Sequence, residues 1–281
     1  MLLIAAGIFL LGLCAGSFVN AAVWRIRQQA KSQKPKAKSQ NDLSVLWGRS
    51  QCVRCGHRLA GRDLIPIFSW LSLRGRCRYC SKPISWQYPA VELIAGLVFV
   101  VSYLLWPVVL TDGKNLALFI SWLTASVGLL ALAVYDFRWM LLPNRLIYPT
   151  LLVATAGRLI YIASLPDLDM LQSLLDWGLA LLVTAGLFWL IHLISKGRWI
   201  GYGDVRLGLI TGTILGTPSN GFLMIFTASV LGTLYVLPAI ARHKTTIGTR
   251  IPFGPFLILA TFLVLLFGDP VIGWYTDQIG Y

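Results

Sequence analysis

The sequence contains few charged residues. Only 12% of its 281 residues are Asp, Glu, Lys or Arg, whereas hydrophobic residues make up 57%. A water-soluble domain carries about 25% charged residues, so this composition excludes an ordinary soluble domain. Acidic residues are the scarcer kind, 11 against 24 basic residues, which gives a formal net charge of +13. The strict alternation of polar and apolar residues that is typical of membrane β-barrels is also missing.

The first apolar run lacks the basic residues that precede it in a cleavable signal peptide. Residues 1–23 carry no charged side chain, and Arg25 and Arg27 follow them. Because basic residues favour the cytoplasmic side of a membrane, we expect a retained transmembrane helix whose N-terminus lies outside.

Long apolar runs alternate with short polar stretches, which predicts an all-α polytopic membrane protein. About eight transmembrane helices are predicted, at 1–23, 89–108, 115–136, 144–163, 172–195, 205–217, 219–241 and 253–268. The sixth is short for a crossing of about 20 residues, so it either begins before Asp204 or enters the membrane without crossing it squarely. With the N-terminus outside, every Lys and Arg except Lys114 and Arg158 lies on the inner side. Topology and anionic lipid therefore explain the positive charge, and nucleic acid is not a predicted partner.

These segments divide the chain into three predicted parts. Residues 1–23 form the first transmembrane helix, 24–88 a cytoplasmic segment, and 89–281 a membrane core of seven helices. Within the cytoplasmic segment, 28–41 is rich in Lys, Gln and Ser, which indicates a flexible linker. Residues 50–88 contain most of the cysteines and are predicted to form a small folded module.

Four of the five cysteines form two Cys-x-x-Cys pairs. Cys52 and Cys55 precede Cys77 and Cys80 by a gap of 21 residues, and Cys14 lies apart in the first apolar run. Four thiolates at these spacings suit a tetrahedral zinc ion, and a filled set of four sulfurs makes such a zinc structural rather than catalytic. A metal would also stabilise a module too small to build a large core. The alternatives are unliganded thiols or redox-active pairs.

Two aspartates lie at the predicted inner edge of the membrane. Asp136 ends the third span, and Asp204 lies in a Gly-Tyr-Gly-Asp sequence that begins at Gly201. Carboxylates at such positions usually face the interior of a helix bundle or a water-filled cavity. Two of them brought together cannot both be ionised easily, so one can activate water while the other, protonated, polarises a peptide carbonyl. The alternatives are a helix cap for Asp204 and an ion pair of Asp136 with Arg138 or Arg206.

Taken together, these residues resemble the type IV prepilin peptidase family, bacterial leader peptidases that also act as N-methyltransferases. The resemblance covers most of the chain. Its motifs are 16–20 (Gly-Ser-Phe-Val-Asn) with Arg25, the two cysteine pairs around 63–70 and 73–77, 87–93, Asp136 with Leu142 and Pro143, 201–204, and 252–255 (Pro-Phe-Gly-Pro). Their order and spacing are specific to the family.

The resemblance implies that Asp136 and Asp204 are the catalytic pair of an aspartyl peptidase. Its substrates would be prepilins or pseudopilins, whose short basic leader is cut after a Gly at the cytoplasmic face of the bacterial inner membrane. It also implies methylation of the new N-terminus with S-adenosylmethionine, although no Gly-x-Gly-x-x-Gly sequence marks a binding site for it. An ion- or proton-coupled transporter with the two Asp as relay groups is the alternative function, and a scaffold with a docking module is a third. The oligomeric state is not predicted.

Five further residues are predicted to contact the substrate: Asp63, Glu92, Gly201, Gly203 and Gly254. Alternative roles are a loop cap for Asp63, an interfacial charge pair for Glu92 and a plain helix start for the Pro-Phe-Gly-Pro sequence around Gly254. The chain departs from the family at two positions. Asn144 stands where Asp is usual, which leaves less negative charge for a basic leader, and Arg206 stands where Lys is usual.

Overall fold

A computed structural model describes residues 1–31, 44–45, 47–107, 110, 113–241 and 251–279. Helices account for the regular secondary structure of these residues, together with two isolated β-bridges in the cysteine region. In chain order the α-helices are α1 (Leu2–Lys31), α2 (Phe68–Ser72), α3 (Gln87–Leu104), α4 (Gly113–Trp139), α5 (Asn144–Ile162), α6 (Asp167–Leu181), α7 (Leu187–Ser195), α8 (Tyr202–Leu215), α9 (Pro218–Ala241) and α10 (Gly254–Ile279). A 3₁₀ turn (Gly61–Leu64) precedes α2, and a π turn (Leu182–Gly186) joins α6 to α7.

Six helical stretches in the described residues are long and apolar enough to cross a membrane. They are Leu2–Lys31, Gln87–Leu104, Gly113–Trp139, Leu168–Ser195, Pro218–Pro238 and Gly254–Gln278. These confirm a polytopic, all-helical membrane protein. The other two predicted spans correspond to α5 and α8. The 14 residues of α8 extend only about 21 Å, against about 30 Å for the hydrocarbon core. Helix α8 begins at Tyr202, ahead of Asp204.

Helix α1 continues to Lys31, past the predicted end at residue 23, so residues 28–31 of the predicted flexible linker are helical. Ala, Gln, Arg and Lys are strong helix formers and allow the helix to leave the apolar run without a break. The buried side chain of Arg25 fixes this extension, because its guanidinium donates hydrogen bonds to the carbonyls of Val45 and Gly48 at 2.8 and 2.7 Å. Residues 32–41 of the predicted linker lie outside the described residues.

The chain divides into two compact units, Met1–Leu105 and Trp106–Tyr281. This boundary falls after α3, whereas the sequence-based division placed residues 89–281 in one membrane core. The reason is that α1 and α3 pack closely and antiparallel. A Cβ on Gly12 would lie 2.7 Å from Gly96 Cα, and a Cβ on Gly16 would lie 2.6 Å from Glu92 Cα. Asn20, one turn further along α1, donates to the Tyr88 carbonyl at 3.1 Å.

The second unit contains the remaining helices. Helices α4 and α5 form an antiparallel hairpin, in which Gly128 lies against Thr150 and Gly157 lies against Ser121. The short helix α8 is largely buried among its neighbours. The backbone of the π turn packs closely on Gly208 of this helix. A Cβ on Gly208 would lie only 3.0 Å from Ala185 Cα. Small residues permit such close helix contacts in membranes, where backbones rather than apolar side chains supply the packing.

Candidate active site and metal centre

Asp136 lies in the last turn of α4 and is only 5% exposed. The helix ends just after it, at Met140, which has a left-handed φ of 52°. One carboxylate oxygen of Asp136, Oδ2, accepts a hydrogen bond from the Gly254 amide at 3.1 Å. Gly254 is the first residue of α10, where the backbone N–H groups have no partner within the helix and the helix dipole favours negative charge. The buried carboxylate is therefore compensated by the start of a different helix.

Asp204 lies at the opposite kind of helix end, the N-terminus of α8. It lies in the first turn of that helix, and its Oδ2 accepts a hydrogen bond from the Gly201 amide at 3.2 Å. Asp204 is therefore not the N-cap of a helix beginning at Val205, as one alternative from the sequence had it, but the third residue of α8, bonded back to the N-cap Gly201. The bond uses only one of the two carboxylate oxygens. Both aspartates thus have one oxygen held by a glycine amide at a helix N-terminus.

Contacts between the α4–α5 turn and α8 connect the helix ends that carry the two aspartates. Leu142 packs on Gly203, since a Cβ on that glycine would lie 3.0 Å from the Cβ of Leu142. Asn144, at the start of α5, accepts a hydrogen bond from the guanidinium of Arg206. On the other side, a Cβ on Gly254 would lie 3.5 Å from the side chain of buried Leu207.

The helix ends that carry Asp136 and Asp204 are thus linked through Leu142 on Gly203 and through Gly254 beside Leu207. That the two carboxylates face each other, as the sequence predicts for groups on separate helices, stays a prediction. Two neighbouring carboxylates with partial burial can hold one proton between them, which is the requirement for acid–base chemistry with one acid and one base.

A buried threonine connects α8 to the π turn. The Thr184 hydroxyl lies 2.9 Å from the carbonyls of both Ala180 and Gly208. Gly208 is one turn beyond Asp204, so this hydroxyl bridges the π turn to the helix that carries the aspartate. π turns widen a helix locally and occur often at functional sites. The sequence pattern carries no signal for this turn, because Leu182–Gly186 lies within the apolar run of the predicted span 172–195.

An apolar cavity of about 450 Å³ lies beside the Asp136–Gly254 contact. It is lined by Ser229, Gly232, Thr233, Val236 and Leu237 of α9 and by Ile251, Phe253 and Phe256. The hydroxyls of Ser229 and Thr233 donate to carbonyls of their own helix at 2.8 Å, so they offer little polarity to the cavity. The volume is in the range of ligand pockets in proteins.

The four paired cysteines of the first unit form one cluster. Their sulfur atoms all lie within 4.8 Å of one another, and those of Cys52 and Cys80 are 4.0 Å apart. Tetrahedral zinc with Zn–S bonds of about 2.3 Å requires sulfurs about 3.8 Å apart, so the cluster fits such an ion. Cys14, which is exposed in α1, is not a member.

Both cysteine pairs have the same backbone geometry. The amide of each first cysteine, Cys52 or Cys77, donates to a carbonyl five residues later at 2.9 Å. In each pair the residue after the second cysteine has a positive φ, 72° at Gly56 and 56° at Ser81. Glycine adopts a positive φ without a steric cost, whereas Ser81 adopts it despite its side chain.

The pKa values of two cysteines in the cluster shift in opposite directions. Burial alone would raise the pKa of Cys52, but hydrogen bonds from the Cys55 and Arg54 amides and from other thiols lower it to about 7. A hydrogen bond from the Lys82 amide would lower the pKa of Cys80, but burial and the neighbouring cysteines raise it to about 11. Four thiolates this close repel one another unless a positive ion lies between them.

Asp63 serves the folding of this cysteine module. Its side chain, which is 3% exposed, forms a salt bridge with Arg78 at 2.7 Å and accepts bonds from the Tyr79 hydroxyl at 3.0 Å and the Ala60 amide at 3.2 Å. Burial would raise the pKa of Asp63, but these hydrogen bonds outweigh burial and lower it. Its carboxylate therefore has structural partners, as the loop-cap alternative expected.

Glu92 also has structural partners, although they are not the predicted charge pair. It is 8% exposed on α3 and accepts a hydrogen bond from the Ile67 amide at 2.7 Å, together with one from Ser17. Asp63 and Glu92 lie in the first unit, whereas Gly201, Gly203 and Gly254 surround the two aspartates of the second. The predicted roles of Asp63 and Glu92 in substrate binding stay predictions.

Comparisons with known proteins agree with these features. Residues 10–106 match the Bacterial Peptidase A24 N-terminal domain, and residues 122–237 match the Type IV leader peptidase family. A prepilin leader peptidase/N-methyltransferase of Aeromonas salmonicida (strain A449) is 30% identical, over 97% of this chain and 94% of that protein. The chain belongs to the type IV leader peptidase family.

Two more relatives support this membership. A prepilin leader peptidase/N-methyltransferase of Stutzerimonas stutzeri is 31% identical, over 94% of this chain and 91% of its own length. A type 4 prepilin-like proteins leader peptide-processing enzyme of Escherichia coli O78:H11 (strain H10407 / ETEC) is 32% identical over 88% of each chain. No solved structure matches the chain significantly. The family resemblance and the prediction of a prepilin leader peptidase are thus confirmed.

Proposed function

We propose that this chain is a membrane aspartyl endopeptidase that removes the leader of type IV prepilin-like proteins after a Gly. The observation that carries this proposal is that Asp136 and Asp204 lie at helix ends joined by direct contacts, each bonded through one oxygen to a glycine amide at a helix N-terminus. The substrates named for the relatives supply the substrate class.

The two aspartates would divide acid and base roles between them. The ionised carboxylate takes a proton from a water molecule, whose oxygen attacks the carbonyl carbon of the scissile peptide. The protonated carboxyl donates to the carbonyl oxygen where negative charge develops. As the tetrahedral intermediate breaks down, a proton passes to the leaving amine and the C–N bond breaks. The glycine amides hold one oxygen of each aspartate and leave the other free for these transfers.

The membrane arrangement that supports this chemistry has the N-terminus outside and the aspartates at the inner edge. Eight crossings are required, with α5 and α8 included beside the six long helices. The basic residues on the inner side under this arrangement favour it. A leader in the cytoplasm of a bacterium would then reach the catalytic pair directly, and the cysteine module would face the same compartment.

The apolar cavity next to Gly254 is suited to the hydrophobic part of the substrate. Phe253 lines this cavity and Gly254 bonds Asp136, so adjacent residues connect the cavity to the catalytic carboxylate. With the apolar residues of the substrate in the cavity, the polar leader would lie on the opposite side of the two aspartates. Gly201 and Gly203 border the other side of the pair. This assigns the Pro-Phe-Gly-Pro sequence both of its predicted roles, a helix start and a substrate groove.

Two cofactors belong to the proposal. Cys52, Cys55, Cys77 and Cys80 would hold a structural zinc ion, whose positive charge compensates the thiolates and joins the two loops. The names of the relatives include N-methyltransferase, so this chain would also transfer the methyl group of S-adenosylmethionine to the new N-terminus.

A proton- or ion-coupled transporter is the alternative, since paired carboxylates also serve as proton relays. Both aspartates lie within one turn of a helix end, whereas relay groups are expected near the middle of spans. The two functions differ in a direct way, because only the peptidase needs a leader-bearing substrate.

We expect Asp136→Asn and Asp204→Asn each to abolish processing of a co-expressed prepilin. Either change removes the acid or the base of the pair, and general acid–base groups contribute about 10²- to 10⁴-fold in rate. Immunoblotting of precursor and mature forms measures the effect. Asp277→Asn, at an exposed position near the end of α10, is the control and should process normally.

Normal cleavage by either Asp136→Asn or Asp204→Asn would contradict the proposal. Proton flux into proteoliposomes that contain the purified protein and an internal pH dye distinguishes a transporter from a peptidase. Proton flux that is lost in both variants, in the absence of any prepilin, would favour the transporter.

We expect Gly254→Ala to lower the cleavage rate by about 10²-fold, the order found when catalytic groups shift by about 1 Å. The new Cβ would lie 2.6 Å from Asp136 Oδ2, so the carboxylate or α10 has to move. Gly273→Ala in the same helix is the matched control, because no atom lies within 4 Å of its Cβ position. Equal cleavage rates for the two variants would show that the Asp136–Gly254 contact does not position the carboxylate.

We expect the purified protein to contain one zinc ion per chain, with the content falling sharply in Cys52→Ser and Cys77→Ser. Inductively coupled plasma mass spectrometry gives the metal content. Cys14→Ser should retain the full content, because this cysteine lies outside the cluster. Equal metal content in all three variants would reject the site.

We expect the processed substrate to carry one added methyl group when S-adenosylmethionine is supplied. Intact-mass spectrometry of the mature substrate detects it, and the N-terminal peptide shows its position. Protein incubated without the methyl donor provides the control. A mature substrate of unmodified mass would contradict the proposed methyl transfer, and the protein would then be a peptidase only.

A further inference from the structure

We infer that the segment between the two cysteine pairs, from Leu64 to Leu71, inserts into the interface of the inner leaflet and binds anionic phospholipid. This segment is called the interfacial segment below. The inference rests on contacts within the first unit and does not depend on the peptidase activity.

The interfacial segment exposes an unusual amount of apolar surface for a small module. Leu64, Ile65, Phe68 and Leu71 are 39%, 48%, 66% and 58% exposed. These four side chains lie within eight consecutive residues, where the module has few other residues to cover them. Clustered apolar exposure of this kind indicates a contact with another phase or molecule.

A hydrogen bond fixes the depth of the segment relative to a membrane-spanning helix. The Ile67 amide donates to the carboxylate of Glu92 at 2.7 Å. Helix α3 has 18 residues, about 27 Å, so nearly its whole length is needed to cross a core of about 30 Å. Glu92 lies about 8 Å along α3 from its start at Gln87. Amphipathic segments at membrane interfaces bury their apolar faces about 5–10 Å deep, which is the same depth.

The backbone at Ile67 shows why this contact matters for the fold. Ile67 has φ 59° and ψ −51°, and the Phe68 amide donates across it to the Pro66 carbonyl, which makes a γ-turn. A positive φ is strained for a β-branched residue and persists only where its surroundings hold it. The buried carboxylate of Glu92 supplies this support from α3.

Two tryptophans hold the other end of the segment near the start of α3. The rings of Trp70 and Trp86 are 4.1 Å apart, and Trp70 Nε1 donates to the Ile84 carbonyl at 3.3 Å. Trp86 directly precedes α3 and is 72% exposed. Tryptophan is enriched at the boundary between lipid headgroups and hydrocarbon, so both contacts place the segment at that level.

The charges around the segment favour lipid over a basic peptide as the occupant. Arg62, Arg74 and Arg76 flank it and are exposed. Guanidinium groups beside inserted apolar side chains attract anionic headgroups of the cytoplasmic leaflet. The same charges would repel a basic leader peptide. The carboxylate nearest to them, Asp63, is already bonded to Arg78.

Depth-dependent quenching in the full-length protein tests this inference. An azide-bearing amino acid at position 68, coupled to a small environment-sensitive fluorophore, reports contact with doxyl-labelled lipid in nanodiscs that contain phosphatidylglycerol. Position 97, an exposed leucine on α3, serves as the lipid-facing reference, and position 54, an exposed arginine beside the first cysteine pair, as the water-facing reference.

We expect quenching at position 68 to exceed that at position 54 several-fold and to approach that at position 97. Quenching no stronger than at position 54 overturns the inference. Protection of position 68 only after prepilin is added also overturns it, because the segment would then bind a peptide.

A pair of substitutions tests the proposed tether. Glu92→Gln retains an oxygen that can accept from Ile67, so quenching at position 68 should persist. Glu92→Ala removes the acceptor, and quenching there should fall while quenching at position 97 stays unchanged. Equal quenching at position 68 in both variants would show that Glu92 does not set the depth of the segment.

Discussion

The arrangement of the second unit depends on how a carboxylate can be buried at the end of an apolar helix. Removal of an ionised carboxylate from water costs several kcal/mol unless other donors replace the lost hydration. Asp136 finds its donor at the N-terminus of α10, where the Gly254 amide would otherwise lack a partner. Each group satisfies the other, so α4 and α10 are held together at the same point that keeps the carboxylate in place.

The same constraint explains why glycine is needed at this contact. Asp136 Oδ2 lies 2.6 Å from the position that a Cβ on Gly254 would occupy, so any larger residue would push the carboxylate away. Gly203 is similarly close to Leu142 of the α4–α5 turn. The glycines near the aspartates therefore set how closely the helix ends approach, which is a condition for two carboxylates to share a proton.

The sequence predicts the helices and the members of each site better than it predicts their contacts. Apolar runs mark the long helices because the bilayer requires about 20 apolar residues per crossing, and cysteine spacing marks the cluster because metal geometry requires it. The end of α1 was misplaced, since Arg25 finds carbonyl partners at Val45 and Gly48 that no periodicity reveals. The sequence likewise does not reveal the acceptors of the Gly254 and Ile67 amides, because these hydrogen bonds join residues far apart in the chain.

Carboxylates that suggest substrate binding in a sequence can instead be used by the fold. Asp63 is fully occupied by Arg78, Tyr79 and Ala60, and Glu92 stabilises the turn at Ile67. Both residues lie in or beside a module that has a metal cluster but little core, so each buried hydrogen bond matters more there than in a large domain. A family motif therefore does not by itself separate residues that bind substrate from residues that hold the binding unit together.

The two departures from the family pattern are best understood as a pair. The resemblance implies Asp and Lys where this chain has Asn144 and Arg206, and these two side chains are hydrogen-bonded to each other. A neutral acceptor opposite Arg keeps the contact between α5 and α8, but it leaves the positive charge of Arg206 uncompensated by its partner, where an Asp–Lys pair would be neutral. The guanidinium also lies over the Tyr202 ring, 4.6 Å from its centre. The Asn144–Arg206 bond joins α5 to α8 two residues beyond Asp204, so in the proposed function the change in local charge bears on the preferred leader rather than on the two aspartates.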